Sequence, residues 1–412
     1  MRAVGVHVFA GGFTMGVKRV MEVECQLEAH GFGLESAEKS VGVPTVNRED
    51  AKWPRMSGQL CFGNPRCTGF SCVTAGLDET SHGPWSRQTV DARQLVEYAA
   101  GHFDVIVWES VQQAYTVGKP LLDHMIKEWL APNHYRIAHL FINAASFGNV
   151  QNRKRYFMVA YRDDRPFNVV PPVISPYYPV AYDVLWSRRD RVTRPMKLRV
   201  SEDYDADCYT QLNEDEIAAV PYLPNGWSLN TLARYGTHLL TERHQRKWRE
   251  RQSGMPFSMH CPYRANYLRH FPTLTSSAGR TIHPEHDRAC TVGELSAVMG
   301  WGDTIPRGPH PVAQLAKGVV PAVGEWLAEQ VKLYVDGHWP RDEDWESTFD
   351  SSRGEWIGGD ASGKLEKTID LTRYVGQDFD RERYDVTDEV LFRHRLHVDG
   401  RVRERAGERH GP

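Results

Sequence analysis

Gln59-Leu60-Cys61-Phe62-Gly63-Asn64-Pro65-Arg66-Cys67-Thr68-Gly69-Phe70-Ser71 is a short β-rich run that stops in a tight loop of glycine and proline. Such a loop holds a side chain in place at the end of a strand instead of burying it, so the Cys67 thiol is a candidate nucleophile. A cysteine taken alone is more often a small buried hydrophobe; only its setting sets this one apart. On either side of this run, Val4–Phe9, Gly31–Leu34, Asp104–Trp108, Ile137–Asn143 and Tyr156–Tyr161 read as further strands. Val90–Ala100 and Leu121–Leu130 carry apolar residues at three- and four-residue spacing, as amphipathic helices do. Strands alternating with helices predict an α/β fold, a doubly wound and mostly parallel sheet over residues 1–165.

Ligands bind such sheets just beyond the carboxyl ends of the strands. Three candidates fall there: Glu35, Cys67 and Glu109. Glu109 follows Val105-Ile106-Val107-Trp108, a run apolar on both faces. Buried there, a carboxyl holds a raised pKa and can donate a proton. The other reading, an acid at a helix N-terminus, is equally common at a strand-to-helix turn, and position alone leaves both open.

After Asp163 the character changes. Pro171, Pro172, Pro176 and Pro179 interrupt the chain, and a basic stretch runs from Arg188-Arg189-Asp190-Arg191 to Arg199. A second basic run, Arg243-His244-Gln245-Arg246-Lys247-Trp248-Arg249, lies within what reads as a smaller, irregular domain over 166–275. Charge runs are usually solvated faces, so these alone carry little weight for nucleic acid. Residues 276–338 are expected to return to the first domain. Thr291-Val292-Gly293-Glu294 is a capping box opening a helix through Met299, and Pro321 stands in the first turn of another. Residues 339–412 form a charged extension, and Arg401–Pro412 has too little apolar surface to order itself.

Bulk properties narrow the class. Of the 412 residues, 41% are hydrophobic and 25% charged, ordinary values for a globular protein, and no apolar run is long enough to cross a bilayer. Met1-Arg2-Ala3-Val4 runs straight into a strand-like stretch, so we expect no export signal, and the seven cysteines form no paired CxxC framework with zinc spacing. We expect a monomeric cytoplasmic protein with no metal and no membrane association. A net charge of −3 neither supports nor excludes DNA.

The motifs together resemble those of the C5-cytosine DNA methyltransferases. Pro65-Arg66-Cys67-Thr68-Gly69-Phe70-Ser71 is similar to that family's Pro-Pro-Cys-Gln-Gly-Phe-Ser loop, and Glu109-Ser110-Val111 to its Glu-Asn-Val. Gln151-Asn152-Arg153-Lys154-Arg155 resembles its Gln-x-Arg-x-Arg segment, the most specific of the three. Val8-Phe9-Ala10-Gly11-Gly12-Phe13 resembles the glycine-rich entry to the cofactor site, two residues shorter than Phe-x-Gly-x-Gly-Gly. Arg280-Thr281-Ile282-His283-Pro284, the run Asp287–Trp301 and Gly318–Val323 resemble the segments beyond the target-recognition domain, with Val319 where an asparagine is expected. The likeness spans Val4–Val331 in family order.

The resemblance implies a Rossmann-like, S-adenosylmethionine-dependent methyltransferase acting on double-stranded DNA. It implies Cys67 as nucleophile adding to cytosine C6, Glu109 as acid at N3, and Arg153 and Arg155 as cations at the pyrimidine O2 and phosphates. Phe9, Gly11, Gly12, Glu35, Pro65 and Gly318 fall to the cofactor, Glu35 as the acid on its ribose. Ser71, Gln151 and Arg280 fall to the substrate. Three alternatives keep the same scaffold: an RNA substrate, transfer of another group from a modified S-adenosylmethionine, or DNA binding without catalysis. Retention of both Cys67 and Glu109 argues against the last.

Overall fold

A computed structural model describes residues 1–28, 34–47, 53–70, 82–162, 167, 169, 179–201, 203–235, 242, 245–246, 262–276, 278–337 and 366–372. The chain lays down β1 (Arg2–Val6), β2 (Glu22–Glu28), β3 (Thr45–Asn47), β4 (Gly58–Gly63), β5 (Phe103–Ser110), β6 (Tyr135–Asn143) and β7 (Lys154–Arg162). Four short strands follow, β8 (Arg194–Met196), β9 (Cys208–Thr210), β10 (Tyr263–Arg264) and β11 (Thr281–Ile282), and then β12 (Glu366–Leu371). The main sheet has eight strands in the order β12-β6-β7-β5-β4-β1-β2-β3. All its pairs are parallel except those of β7, which runs against both β5 and β6. The expected doubly wound, mostly parallel sheet is present, and its strand order reverses direction at β1 and β4.

β5 shows why these segments read as continuous apolar runs. Val105 and Val107 join one core cluster and Ile106 and Trp108 the other, so the strand is buried on both faces. On the first face, helix α1 (Gly12–Val17) crosses the long helix Pro321–Asp336 with backbones touching. A Cβ on Gly16 would stand 2.1 Å from the Pro321 carbonyl oxygen, so only glycine permits this approach. Pro321 occupies the first turn of that helix, and the Thr291 box caps the helix Val292–Val298 as the motif implies.

The strand expected over residues 31–34 needs correction, although residues 31–33 lie outside the described residues. No strand forms at Leu34, which opens helix α2 (Leu34–Val41); the second strand is Glu22–Glu28. It is hard to read because one face is polar: Gln26 is buried there and accepts from the Thr14 hydroxyl at 2.7 Å, while the apolar Val23, Cys25 and Leu27 fall on the other face. Part of the charged extension joins the fold. Its residues 366–371 pair in parallel with β6 and close that edge of the sheet. Arg401–Pro412, Pro171, Pro172 and Pro176 lie outside the described residues.

Beyond the sheet, β8 pairs with β9 and β10 with β11. Leu212, Ala219, Val220, Leu223, Leu232, Ile282 and Ala289 form a separate small core, tied together by the buried Arg264, which donates to the carbonyls of Val220 and His283. Among the described residues no helix is long and apolar enough to cross a membrane, and no cluster of His, Cys, Asp or Glu could hold a metal ion.

Candidate active site

β4 ends against β1 and β5, and the loop that follows is fastened at two points. The Asn64 amide donates to the Lys317 carbonyl at 2.7 Å. Arg66 donates from Nε to Asp91 Oδ2 at 2.7 Å and from a terminal nitrogen to Oδ1 at 3.3 Å. Asp91 is buried in the first turn of helix α3 (Val90–Ala99), where the helix dipole favours an anion. Arg66 thus does with a two-point ion pair what a second proline ring does by stiffness. Between these anchors Cys67 is half-buried, and its carbonyl accepts from the Phe70 amide to open a 3₁₀ turn over Thr68–Phe70.

Glu109 reaches the same place from the end of β5. It pairs in register with Phe157 on antiparallel β7, so it shares a sheet face with Phe157 and, two residues away, Arg155. The Arg155 Nε lies 3.1 Å from Glu109 Oε1, and the carboxylate is 4% exposed. Burial pushes the Glu109 carboxyl above the usual carboxylate range, with Arg155 and Arg153 pulling back. Burial also raises the Cys67 thiol; the Glu109 charge adds to that, and Arg155 and Arg153 oppose it. The three groups brought together are a thiol, a carboxyl whose hold on its proton is strengthened by burial, and a guanidinium that couples to both.

Other candidates land elsewhere. Arg153 is buried, and its terminal nitrogens donate to the carbonyls of Leu274, Ala316 and Gly318. These bonds tie the start of β7 to residues 274–318, and the Arg153 charge acts on both Cys67 and Glu109. Gln151, expected on the substrate, is 0% exposed. Its Nε2 donates to the Val298 carbonyl and its Oε1 accepts from the Leu274 amide, so both ends of the amide are engaged within the protein. Arg280 is partly exposed, faces Glu216 at 3.4 Å and lines a groove with Lys197, Arg199 and His310. Ser71 lies outside the described residues.

At the cofactor end, Glu35 sits in α2 rather than after a strand; the acid that ends β2 is Glu28. Its Oε1 accepts from the amides of Val8 and Phe9, at 2.6 and 3.2 Å. These bonds stabilise a short turn in which two non-glycine residues, His7 and Phe9, take left-handed φ angles of 55° and 52°. Gly11 and Gly12 complete the turn into α1, and a Cβ on Gly12 would meet the Val319 carbonyl at 2.5 Å. The Lys317 ammonium lies 5.1 Å from the centre of the Phe9 ring, with its pKa lowered by burial. Glu28, Asp91 and Lys317 were not anticipated; for Glu28 the cue was available, as the last residue of the alternating run Glu22–Glu28.

The model of the C-5 cytosine-specific DNA methylases matches residues 46–332. The chain is 24% identical over 391 residues to the Type II methyltransferase M.DdeI of Desulfomicrobium norvegicum, covering 82% of this chain and 89% of that one. It is 20% identical over 313 residues to the Type II methylase M.HgiDII of Herpetosiphon aurantiacus, covering 73% and 83%. In fold it resembles a prophage-encoded DNA modification methyltransferase from E. coli, with TM-score 0.58 and 15% identity over 82% of this chain and 99% of that one. The Entamoeba histolytica methyltransferase EhMeth is similar with TM-score 0.52 and 12% identity over 81% and 98%. The family match runs through Cys67, Glu109 and Arg155, and the chain belongs to the C-5 cytosine-specific DNA methylase family as a DNA (cytosine-5-)-methyltransferase.

Proposed function

We propose that this enzyme transfers a methyl group from S-adenosylmethionine to C5 of a cytosine rotated out of double-stranded DNA, with Cys67 as a covalent nucleophile. The observation that carries the reading is the meeting of Cys67, Glu109 and Arg155 at the carboxyl ends of β4 and β5. Cytosine C5 is a weak nucleophile until a thiolate adds to C6. Cys67 forms that carbon–sulfur bond after losing its proton, and the displaced electron pair moves through the ring towards N3 and C5. Glu109, whose carboxyl pKa is raised by burial, gives a proton to N3 and so removes the charge that would otherwise build there. Arg155 keeps the Glu109 carboxyl in place and eases formation of the thiolate. Once C5 carries the methyl group, loss of its proton to solvent expels the Cys67 sulfur, and the N3 proton returns to Glu109.

When bound, S-adenosylmethionine supplies an electrophilic methyl on sulfur. The crevice at the ends of β1, β2 and β4 fits such a ligand. Glu28 offers a carboxylate for ribose hydroxyls, and Asn64 Oδ1 and Trp301 Nε1 are buried there with no hydrogen-bond partner among the described residues. Phe9, Gly11, Gly12, Pro65 and Gly318 would form its remaining wall. Extracting the target base costs a few kcal/mol. The groove bearing Lys197, Arg199, Arg280 and His310 suits phosphate contacts, and residues 166–275 would read the flanking bases.

Expression in cells without cytosine methylation, followed by mass spectrometry of their nucleosides, tests this against a Cys67→Ala control. We expect 5-methylcytosine only with intact Cys67. Unmodified DNA from folded protein overturns the reading, and a cytosine of another mass would assign a different transferred group.

A further inference from the structure

S-adenosylmethionine, if it binds as proposed, needs partners for its amino-acid end as well as for its ribose. A ligand whose ribose is held by Glu28 on β2 and whose methyl faces the Cys67 loop after β4 must cross the end of β1, which lies between those strands. Its amino-acid end then falls on the β1/β4 side, beside Gly12 and the segment Lys317–Val319. Val319 and Val320 offer no side-chain hydrogen bond, and the glycine turn is short. A zwitterionic ligand end therefore needs other partners here.

Two side chains flanking that segment are buried with unmet hydrogen-bonding capacity among the described residues. Asn64 is 1% exposed and Trp301 4%. The orientation of the Asn64 amide is fixed chemically: its nitrogen must be the end facing the Lys317 carbonyl, since two oxygens cannot share a proton there. Its Oδ1 is therefore an acceptor, and it has no donor. The Trp301 indole can only donate; its Nε1 has no acceptor and would stand 3.1 Å from a Cβ on Gly12, against the glycine turn. An acceptor and a donor left unsatisfied each cost free energy unless a ligand completes them.

We propose that Asn64 Oδ1 and the Trp301 indole N–H bind the ammonium and the carboxylate of the S-adenosylmethionine amino-acid end. The assignment rests on that molecule being the methyl donor. It makes the two residues a matched acceptor and donor that recognise the zwitterion.

Calorimetry with two ligands separates the possibilities. S-adenosylhomocysteine carries the amino-acid end; 5′-methylthioadenosine keeps the adenosine and sulfur without it. We expect Trp301→Phe, which keeps the ring and removes the donor, and Asn64→Ala each to weaken S-adenosylhomocysteine binding about tenfold, in line with a hydrogen bond to a charged group. Binding of methylthioadenosine should not change. Unchanged S-adenosylhomocysteine affinity overturns the proposal, as does equal weakening of both ligands, which would make these residues part of the wall only. Should the wild-type protein bind neither ligand, the methyl-donor reading itself falls. A second readout needs no variant: with ¹⁵N-labelled tryptophan, one indole N–H should shift downfield with S-adenosylhomocysteine and not with methylthioadenosine. A wild-type spectrum without such a resonance overturns the assignment.

Discussion

Arg155 Nε stands 3.1 Å from Glu109 Oε1, an ion pair made across two antiparallel strands at the mouth of the site. The pair places opposite electrostatic demands on Cys67. Glu109 raises the thiol pKa and Arg155 lowers it, on top of the rise imposed by burial.

The sign of each effect can be read from the alkylation of Cys67 by iodoacetamide, which consumes the thiolate. In Glu109→Gln the repulsion is gone, the thiolate forms at lower pH, and the alkylation profile should move down the pH scale. In Arg155→Ala the attraction is gone and the profile should move up. Peptide mass spectrometry of Cys67 across a pH series checks both. Shifts in the same direction for the two variants would mean that the pair does not govern the thiol.

Arg66 and Asp91 give a second prediction. Their ion pair fixes the residue next to the nucleophile to the first turn of α3. Losing it should let the thiol drift by a fraction of an ångström, and a displacement of 1 Å can cost about a hundredfold in rate. Asp91→Ala should lower kcat about tenfold while the KM for DNA stays nearly constant. Asp91→Glu, which keeps the charge on a longer arm, should recover part of the loss. Steady-state kinetics on methylated-strand formation decide it, and full kcat in Asp91→Ala would show that the loop holds itself.

Gln151 provides a contrast, because its motif position points to substrate while its amide is fully engaged in the protein. Gln151→Ala removes a donor to Val298 and an acceptor for Leu274 in a water-free setting. It should cost about 2–4 kcal/mol of stability, the range for a buried hydrogen-bonding group removed together with its volume. Thermal melting should show that loss, while DNA affinity of the folded fraction is preserved. A variant that melts like the wild type and loses DNA affinity would return Gln151 to the substrate.

What could be read from sequence follows physical lines. β4, β5, β6 and β7 announced themselves because both faces are apolar, and Cys67 and Glu109 because each follows such a run. β2 hid behind its buried glutamine, which moved the expected acid from Glu28 to Glu35. Gln151 and Arg153 kept the spacing of a site motif, but spacing cannot show where an amide or guanidinium finds its partners. Those partners, Leu274, Val298 and Ala316, lie more than a hundred residues away. The Arg66–Asp91 pair is hidden for the same reason, being a contact across 25 residues of chain.

β12 was the least legible element, since Glu366-Lys367-Thr368-Ile369-Asp370-Leu371 sits in a charged extension with a single alternating run to suggest a strand. Yet it pairs with β6 over six positions, from Glu366 beside Ile137 to Leu371 beside Ile142, and Leu371 is buried in the main core. Ending the chain after Gly337 would leave the backbone donors and acceptors of β6 open along that edge, a template for pairing with another molecule. The truncated protein should melt lower and form concentration-dependent aggregates, seen by light scattering. Leu371→Ala in the full chain isolates the packing term and should cost about 1–3 kcal/mol. A truncated protein that stays monomeric and melts like the full chain would show that the β6 edge needs no cover.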